Sequence, residues 1–250
     1  EDDSALNDLC WFVKDVNKNG GRAILICNRV SECMALTDPD ETYVVQQHIA
    51  EPLLTNDGRK CHVKFYSLLE CNEHAVWKLY TYKDAFLSTS PNQWSPDDIS
   101  SDTQITVKRN KRLEYGKPVE EWTNHACVWP AAYEKCKHAV ADIVERAIQH
   151  HKLQVRPAKK QFEVFSADFM LDTSGKLWII EFNFSPVLYD PLFASEDNLT
   201  TDGLKRYHEL YLKQGKDAQV NDGDMIRDAV TIAFYDSKDL PSTSQWDAAG

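Results

Sequence analysis

Apolar and polar positions divide the chain into short strand-like runs with helical spacing interposed later. Leu9 to Lys14 and Ala23 to Cys27 are compact apolar runs on either side of Asp15-Val16-Asn17-Lys18-Asn19-Gly20-Gly21-Arg22, a segment of turn formers, so the pattern predicts strand, loop, strand. Tyr43 to Ile49 is a third β-rich run. Glu51-Pro52 ends it, because proline lacks a ladder donor and restricts the residue before it, and a hinge is placed there. Lys60 to Leu69 and Val76 to Tyr82 predict two further strands, and Ser88 to Thr103 a long surface loop. From Pro130 to His151 apolar residues recur at 133, 136, 140, 143, 144, 147 and 148, the spacing of an amphipathic helix with proline in its first turn. Phe162 to Leu171 and Leu177 to Phe184, joined by Asp172-Thr173-Ser174-Gly175-Lys176, predict a β-hairpin. Helical spacing returns at Leu204 to Leu212 and Met225 to Phe234, and the Ser-rich tail beyond is expected to fray.

Composition narrows the class. A chain of 250 residues with 42% hydrophobic content buries a core large enough for one large domain or two modest ones. Its longest apolar runs, such as Ala23-Ile24-Leu25-Ile26-Cys27, fall far short of the roughly 20 residues a membrane span needs, and none reads as a signal peptide. A soluble, cytoplasmic protein is the expectation. The net charge of −11 argues against a general binder of nucleic acid or anionic membranes. The seven cysteines lack the paired spacing of zinc or redox sites and are expected to be reduced, mostly buried thiols. One basic run, Lys108-Arg109-Asn110-Lys111-Arg112, reads as a solvated loop in preference to a docking site for an acidic partner. The chain opens on Glu1 close to its first functional pattern, so an upstream domain is expected.

The hairpin carries the densest chemistry. Asp168 lies on its first strand, and Glu181 and Asn183 lie two apart on its second, hence on one face. Acidic groups among Phe, Met, Trp and Ile are costly unless paired or metal-bound. A two-residue turn would put Asp168 opposite Ile179 and within reach of Glu181. A one-residue bulge would turn it to the other face, and the sequence leaves this register open. A polar outer sheet face is the bland alternative.

Ser166-Ala167-Asp168-Phe169-Met170-Leu171-Asp172, followed by Trp178-Ile179-Ile180-Glu181-Phe182-Asn183-Phe184-Ser185-Pro186, is similar to a pattern of the tubulin-tyrosine-ligase-like family. Val44 to Leu54 with Gly58-Arg59-Lys60, and Trp11-Phe12-Val13-Lys14, resemble that family's linker and its first lysine-bearing strand, so the resemblance covers roughly residues 10 to 190. It implies an α+β, ATP-grasp fold, with a small subdomain over residues 1–50 and a large one over 51–250. It further implies an ATP-dependent carboxylate–amine ligase that uses magnesium and joins an amino acid to a peptide, protein or small-molecule carboxylate, tubulin being the best-known acceptor. Carried onto this chain, Lys14 and Lys60 contact phosphates, Arg22 lies in the loop that closes over them, and Gln46, Gln47 and Ile49 line the adenine pocket. By the same resemblance Asp168, Glu181 and Asn183 would hold magnesium. Lys64 and Lys83 stand where the family usually has catalytic arginines, and His62 stands where it usually has an aspartate near the nucleotide. The family's His-Leu-Thr-Asn word appears here as Gln104-Ile105-Thr106-Val107.

Each residue also has a plainer reading. Lys14 and Lys60 suit strand edges, where lysine blunts aggregation. His48 and His62 suit packed or hydrogen-bonded positions, and Cys61 lacks the orienting groups of a thiol nucleophile. At the level of function, a pseudo-ligase serving as a binding module and an ATP-grasp kinase are the alternatives to the ligase.

Overall fold

The computed structural model describes residues 10–18, 24–106, 109–113, 115, 129–156, 159–184, 222–234 and 244–249. Two antiparallel sheets and a few helices make a mixed α/β architecture. The small sheet has three strands in the order β2-β1-β3, formed by β1 (Trp11–Asp15), β2 (Ile24–Cys27) and β3 (Tyr43–Gln47), with the short helix α1 (Val30–Ala35) between the last two. Val13, Cys27 and Cys33 bury one face of this sheet under α1. Phe12, Lys14 and Gln46 turn to the other face, because side chains alternate along a strand and Phe12 pairs with Gln46.

The large sheet runs β6-β5-β4-β7-β8, built from β4 (Cys61–Cys71), β5 (Trp77–Thr89), β6 (Arg109–Leu113), β7 (Gln161–Leu171) and β8 (Leu177–Phe184). Between β5 and β6 lies the single-turn helix α2 (Ser101–Gln104). Helix α3 (Trp129–Gln149) buries Trp129, Tyr133, Cys136 and Val140 against Val63, Phe65, Leu87, Phe165 and Phe169 on one side of the sheet. Fully burying such side chains stabilises by roughly 1.5–3 kcal/mol each, which is why the helical periodicity survives into the structure. Helix α4 (Asp222–Phe234) covers part of the other side, with Met225, Ala229 and Ile232 on Tyr66, Leu68, Tyr80 and Phe86. The hairpin of β7 and β8 and the helix from Pro130 stand as the pattern predicts. The helix expected at Leu204 to Leu212 lies outside the described residues.

Three expectations are corrected. Of the basic run, Arg109 to Arg112 is strand and not loop: β6 pairs with β5 through Ala85–Leu113 to Thr89–Arg109, and Lys108 lies outside the described residues. The segment expected to loop over the surface from Ser88 does so over Pro91 to Asp102, mostly exposed, but its start completes β5 and its ends are held inward. Ser90 N donates to Lys60 O at 2.9 Å, Trp94 N donates to Gly58 O at 2.8 Å, and Thr103 and Gln104 are buried. The tail does not fray throughout, since β9 (Trp246–Ala248) pairs with β5 and Trp246 is buried against Tyr82. Both burials pair residues distant in sequence, and local pattern does not report them.

The linker at Glu51-Pro52 is pinned to the hairpin. Leu53 N donates to Leu171 O at 2.8 Å and Thr173 N donates to Glu51 O at 2.9 Å. The described cysteines are all free thiols, five of them buried, and the buried Cys61 Sγ donates to Leu53 O at 3.3 Å, within the core.

Candidate functional site

Strand β4 sets out the site by alternation. Cys61, Val63 and Phe65 enter the core beneath α3, so His62 and Lys64, with Lys60 just ahead of the strand, turn to the opposite face. Strand β7 lies beside it with Asp168 opposite Lys64 and Ser166 opposite Tyr66.

Parity then decides what β8 contributes. The turn closes with Asp172 N donating to Lys176 O at 3.1 Å, and Gly175 inside it has φ +77°, a conformation that favours glycine. This turn is one residue longer than a two-residue turn, and continued without interruption its register would set Asp168 opposite Ile180. Glu181 and Asn183 would then face away. Ile180 is instead an extra residue: Phe169 pairs with Ile179, but Asp168 pairs with Glu181 and Ser166 with Asn183. The bulge was expected to separate Asp168 from its partners. It restores them, because two one-residue shifts return the same face.

The cluster is charged and tightly connected. Lys64 Nζ lies 2.9 Å from Asp168 Oδ1, and the Asn183 amide donates to Asp168 Oδ2 at 3.4 Å and to Glu181 Oε1 at 3.2 Å. From the small sheet, Lys14 Nζ approaches Glu181 Oε2 to 4.0 Å. Burial lowers the Lys14 pKa, against the attraction of Glu181 and Asp168. His62 is buried, its Nδ1 sharing a hydrogen bond with Thr106 Oγ1 and its Nε2 lying 3.8 Å from Asp168 Oδ2. Its pKa is lowered, chiefly because burial disfavours the imidazolium.

Lys60 occupies a drier neighbouring position. Its ammonium donates to Gln104 Oε1 at 3.1 Å and stands 4.8 Å over the Phe12 ring of the small sheet. Burial brings its pKa down to about 7, with nearby Lys14 adding to the effect. Beside it, His48 packs between Phe12 and Trp94, its ring 6.2 Å from the indole and nearly parallel to it, and burial brings its pKa to about 4. Neither Lys14 nor Lys60 is an edge lysine: β1 is the middle strand of its sheet and Lys60 is 3% exposed.

The structure thus brings together Lys14, Lys60, His62, Lys64, Asp168, Glu181 and Asn183. Gln46 shares the face of Lys14, whereas Gln47 pairs with Trp11 on the reverse face and is exposed, and Ile49 is half-buried. Lys83 lies apart, its ammonium 5.5 Å over Tyr115 and its carbonyl accepting from Trp129 Nε1. Arg22 lies outside the described residues. Sequence reasoning had no role for Phe12 and Trp94. It noted Gln104 and Thr106 only as a departure from a family word, and that word is the signal that finds them.

The model of the tubulin-tyrosine ligase family matches residues 2–201, a span that takes in both sheets' contributions to the cluster. The chain belongs to that family. Among its relatives, the human protein monoglycylase TTLL8 is 27% identical over 205 residues, covering 72% of this chain and 23% of its own. The zebrafish (Danio rerio) tubulin monoglycylase TTLL3 is 25% identical over 200 residues, covering 71% and 26%. The probable alpha-tubulin polyglutamylase Ttll1 of Tetrahymena thermophila is 23% identical over 202 residues, covering 71% and 48%. This chain of the tubulin-tyrosine ligase family spans about a quarter of the length of the monoglycylases it matches.

Oxygen donors of this kind suit a hard divalent cation. As the side chains stand, the carboxylates are engaged by Lys64, Lys14 and Asn183, and among the described residues no three His, Cys, Asp or Glu donors converge on one point. Glu181 is exposed, and a rotation of the Asn183 amide exchanges its nitrogen for its oxygen. The donor types suit a metal ion, whereas their present arrangement does not gather them around one. Among the described residues no helix is long and apolar enough to cross a membrane.

Proposed function

We propose that the chain is the nucleotide-binding core of an ATP-grasp ligase that joins an amino acid to a protein carboxylate, with residues 1–50 as the small subdomain and 51–250 as the large one. One observation carries this reading. Lys14 from the small sheet meets Glu181 of the large sheet, beside Lys60, Lys64, Asp168 and Asn183, so that cations and carboxylates surround one place between the two sheets. The glycylases and the glutamylase among the relatives favour glycine or glutamate as the amino acid and tubulin as the acceptor.

In this reading Lys14 and Lys60 hold phosphate oxygens of ATP. Lys60, with a pKa near 7 when alone, is held fully protonated by an arriving polyphosphate. Asp168, Glu181 and Asn183 would hold magnesium, which supplies charge neutralisation for the phosphates when bound. Gln46, Ile49 and the backbone of Gln47 frame the adenine. The acceptor carboxylate oxygen bonds to the γ-phosphorus as the bond to ADP breaks, giving an acylphosphate. The amine of the amino acid then attacks the acyl carbon, inorganic phosphate leaves, and an amide remains. Lys64 stabilises the oxyanion of that addition. Lys83 serves as a second such cation only by leaving Tyr115.

A pseudo-ligase that acts as a binding module is the second reading, favoured by the Lys64–Asp168 ion pair at 2.9 Å, which already neutralises the carboxylate. Calorimetry of ATP with and without magnesium, on the native chain and on Glu181→Gln, separates them. The ligase reading expects magnesium-dependent binding that weakens about tenfold or more in the variant, followed by ADP and an amide with acceptor peptide. ADP with a phosphoester would make it a kinase, and absence of nucleotide binding would refute both enzymatic readings.

A further inference from the structure

A lysine ammonium carries three donors and no acceptor. Among the described residues the hydrogen-bond acceptor of Lys60 Nζ is Gln104 Oε1, and the Phe12 ring of the small sheet covers another side of it. A buried ammonium with one neutral acceptor has donors to spare, which suits a charge that must be turned to an arriving anion.

Gln104 has no second orientation to choose. Buried like Lys60, it donates from Nε2 to Ser95 O at 3.2 Å and to Asp98 O at 2.6 Å. An exchanged amide would set its oxygen against two carbonyls and its nitrogen against the ammonium, so all three contacts agree on one assignment. Those carbonyls are held in turn. Asp98 Oδ1 accepts from Ser100 N at 2.8 Å and Oδ2 from Thr103 Oγ1 at 2.6 Å, which ties the loop around its own carboxylate. The same segment reaches the lysine backbone, where Lys60 O accepts from Ser90 N at 2.9 Å. Backbone and ammonium of Lys60 are therefore fixed from the two ends of one loop, residues 90–104.

An amide at this position has a chemical reason. A carboxylate there would neutralise the ammonium and compete with phosphate, whereas an apolar side chain would leave the ammonium buried without an acceptor and favour loss of its proton. A neutral, oriented acceptor does neither. The titratable groups that act on Lys60 are Lys14 on β1, which disfavours its charge, Cys10 just ahead of β1, and His48 just after β3. Burial keeps the Cys10 thiol protonated and His48 neutral near pH 7, so neither one supplies Lys60 with a counter-charge.

We propose that Gln104 is a positioning residue for nucleotide binding: the loop from Ser90 to Gln104 aims its Oε1 so that the Lys60 ammonium is held toward the gap between the two sheets, where a phosphate chain takes its remaining donors. The proposal rests on the nucleotide reading above and adds a residue that acts through Lys60.

A double-mutant cycle on ATP affinity, measured by calorimetry, tests this. Gln104→Leu should weaken ATP about tenfold in the native background and less than about twofold in the Lys60→Met background, because nothing is left to position once the charge is gone. In the unliganded protein the Lys60 Cε resonance should titrate at lower pH in Gln104→Leu and at higher pH in Gln104→Glu. Loosening of the loop alone would expose the lysine and move both variants upward. Gln104→Glu keeps the titration test available should the leucine variant not fold. Equal weakening in both backgrounds, or none in either, would overturn the role of Gln104 while leaving the nucleotide reading standing. A Lys60 titration that moves in neither variant would do the same. Failure of the native chain to bind ATP would overturn the nucleotide reading and this role with it.

Discussion

Replacing Lys60 by methionine should make the protein more stable at mildly acid pH while removing a phosphate contact. Methionine keeps the stem that packs beside Phe12 and deletes the charge. At about 1.4 kcal/mol for each pH unit, the fall of the Lys60 pKa from 10.5 to about 7 puts the penalty on the buried ammonium at about 5 kcal/mol. Two losses offset it: Gln104 Oε1 gives up its donor, costing about 2 kcal/mol, and the cation over Phe12 disappears, costing about 1 kcal/mol. A net gain of about 2 kcal/mol remains near pH 6. The pH dependence follows from the direction of the shift. Below about 7 the lysine is protonated in both folded and unfolded chains, and the full penalty is carried. Between about 7 and 10.5 the folded state sheds a proton that the unfolded state keeps, so wild-type stability rises with pH. By about pH 9 the advantage of Lys60→Met should therefore vanish. Urea unfolding of both proteins at about pH 6 and 9 measures this directly. A variant less stable than wild type at the lower pH, or an advantage that does not shrink at the higher one, would refute the argument. The same variant should bind ATP at least about tenfold more weakly in calorimetry, since a charge-assisted contact of about 1.5–3 kcal/mol is lost.

Two further outcomes test the frame that holds the site. Trp246→Ala should cost about 3–5 kcal/mol in urea unfolding, because the indole packs 5.2 Å from the Tyr82 ring and donates to Met225 O at 3.0 Å. A loss under about 1 kcal/mol would mean that β9 contributes nothing to the sheet. Gly175→Ala places a Cβ at φ +77° in the hairpin turn and should lower stability by about 1 kcal/mol in the same assay. An unchanged or higher midpoint would show that the turn is not under this constraint.

Strand and helix identity was legible in the chain wherever periodicity and punctuation were strong. The alternation of Phe162 to Leu171 and Leu177 to Phe184 around Asp172-Thr173-Ser174-Gly175-Lys176 specified a hairpin, and the spacing from Tyr133 to Ile148 specified a helix, because each pattern reports a face that must be buried. The run from Lys60 to Leu69 likewise read as a strand, and β4 occupies Cys61–Cys71.

What the sequence could not decide was anything requiring two distant segments to meet. Whether Asp168 shares a face with Glu181 depended on the sum of a turn length and a bulge, two shifts that a linear pattern leaves independent. That Arg109–Leu113 becomes a strand follows from the exposed ladder of β5, and that the tail docks follows from a slot for Trp246 beside Tyr82. The meeting of Lys60 with Gln104, of His62 with Thr106 and of Lys14 with Glu181 came from tertiary packing alone, since burial and its cost to a charged group are properties of the assembled interior and not of any residue in the chain.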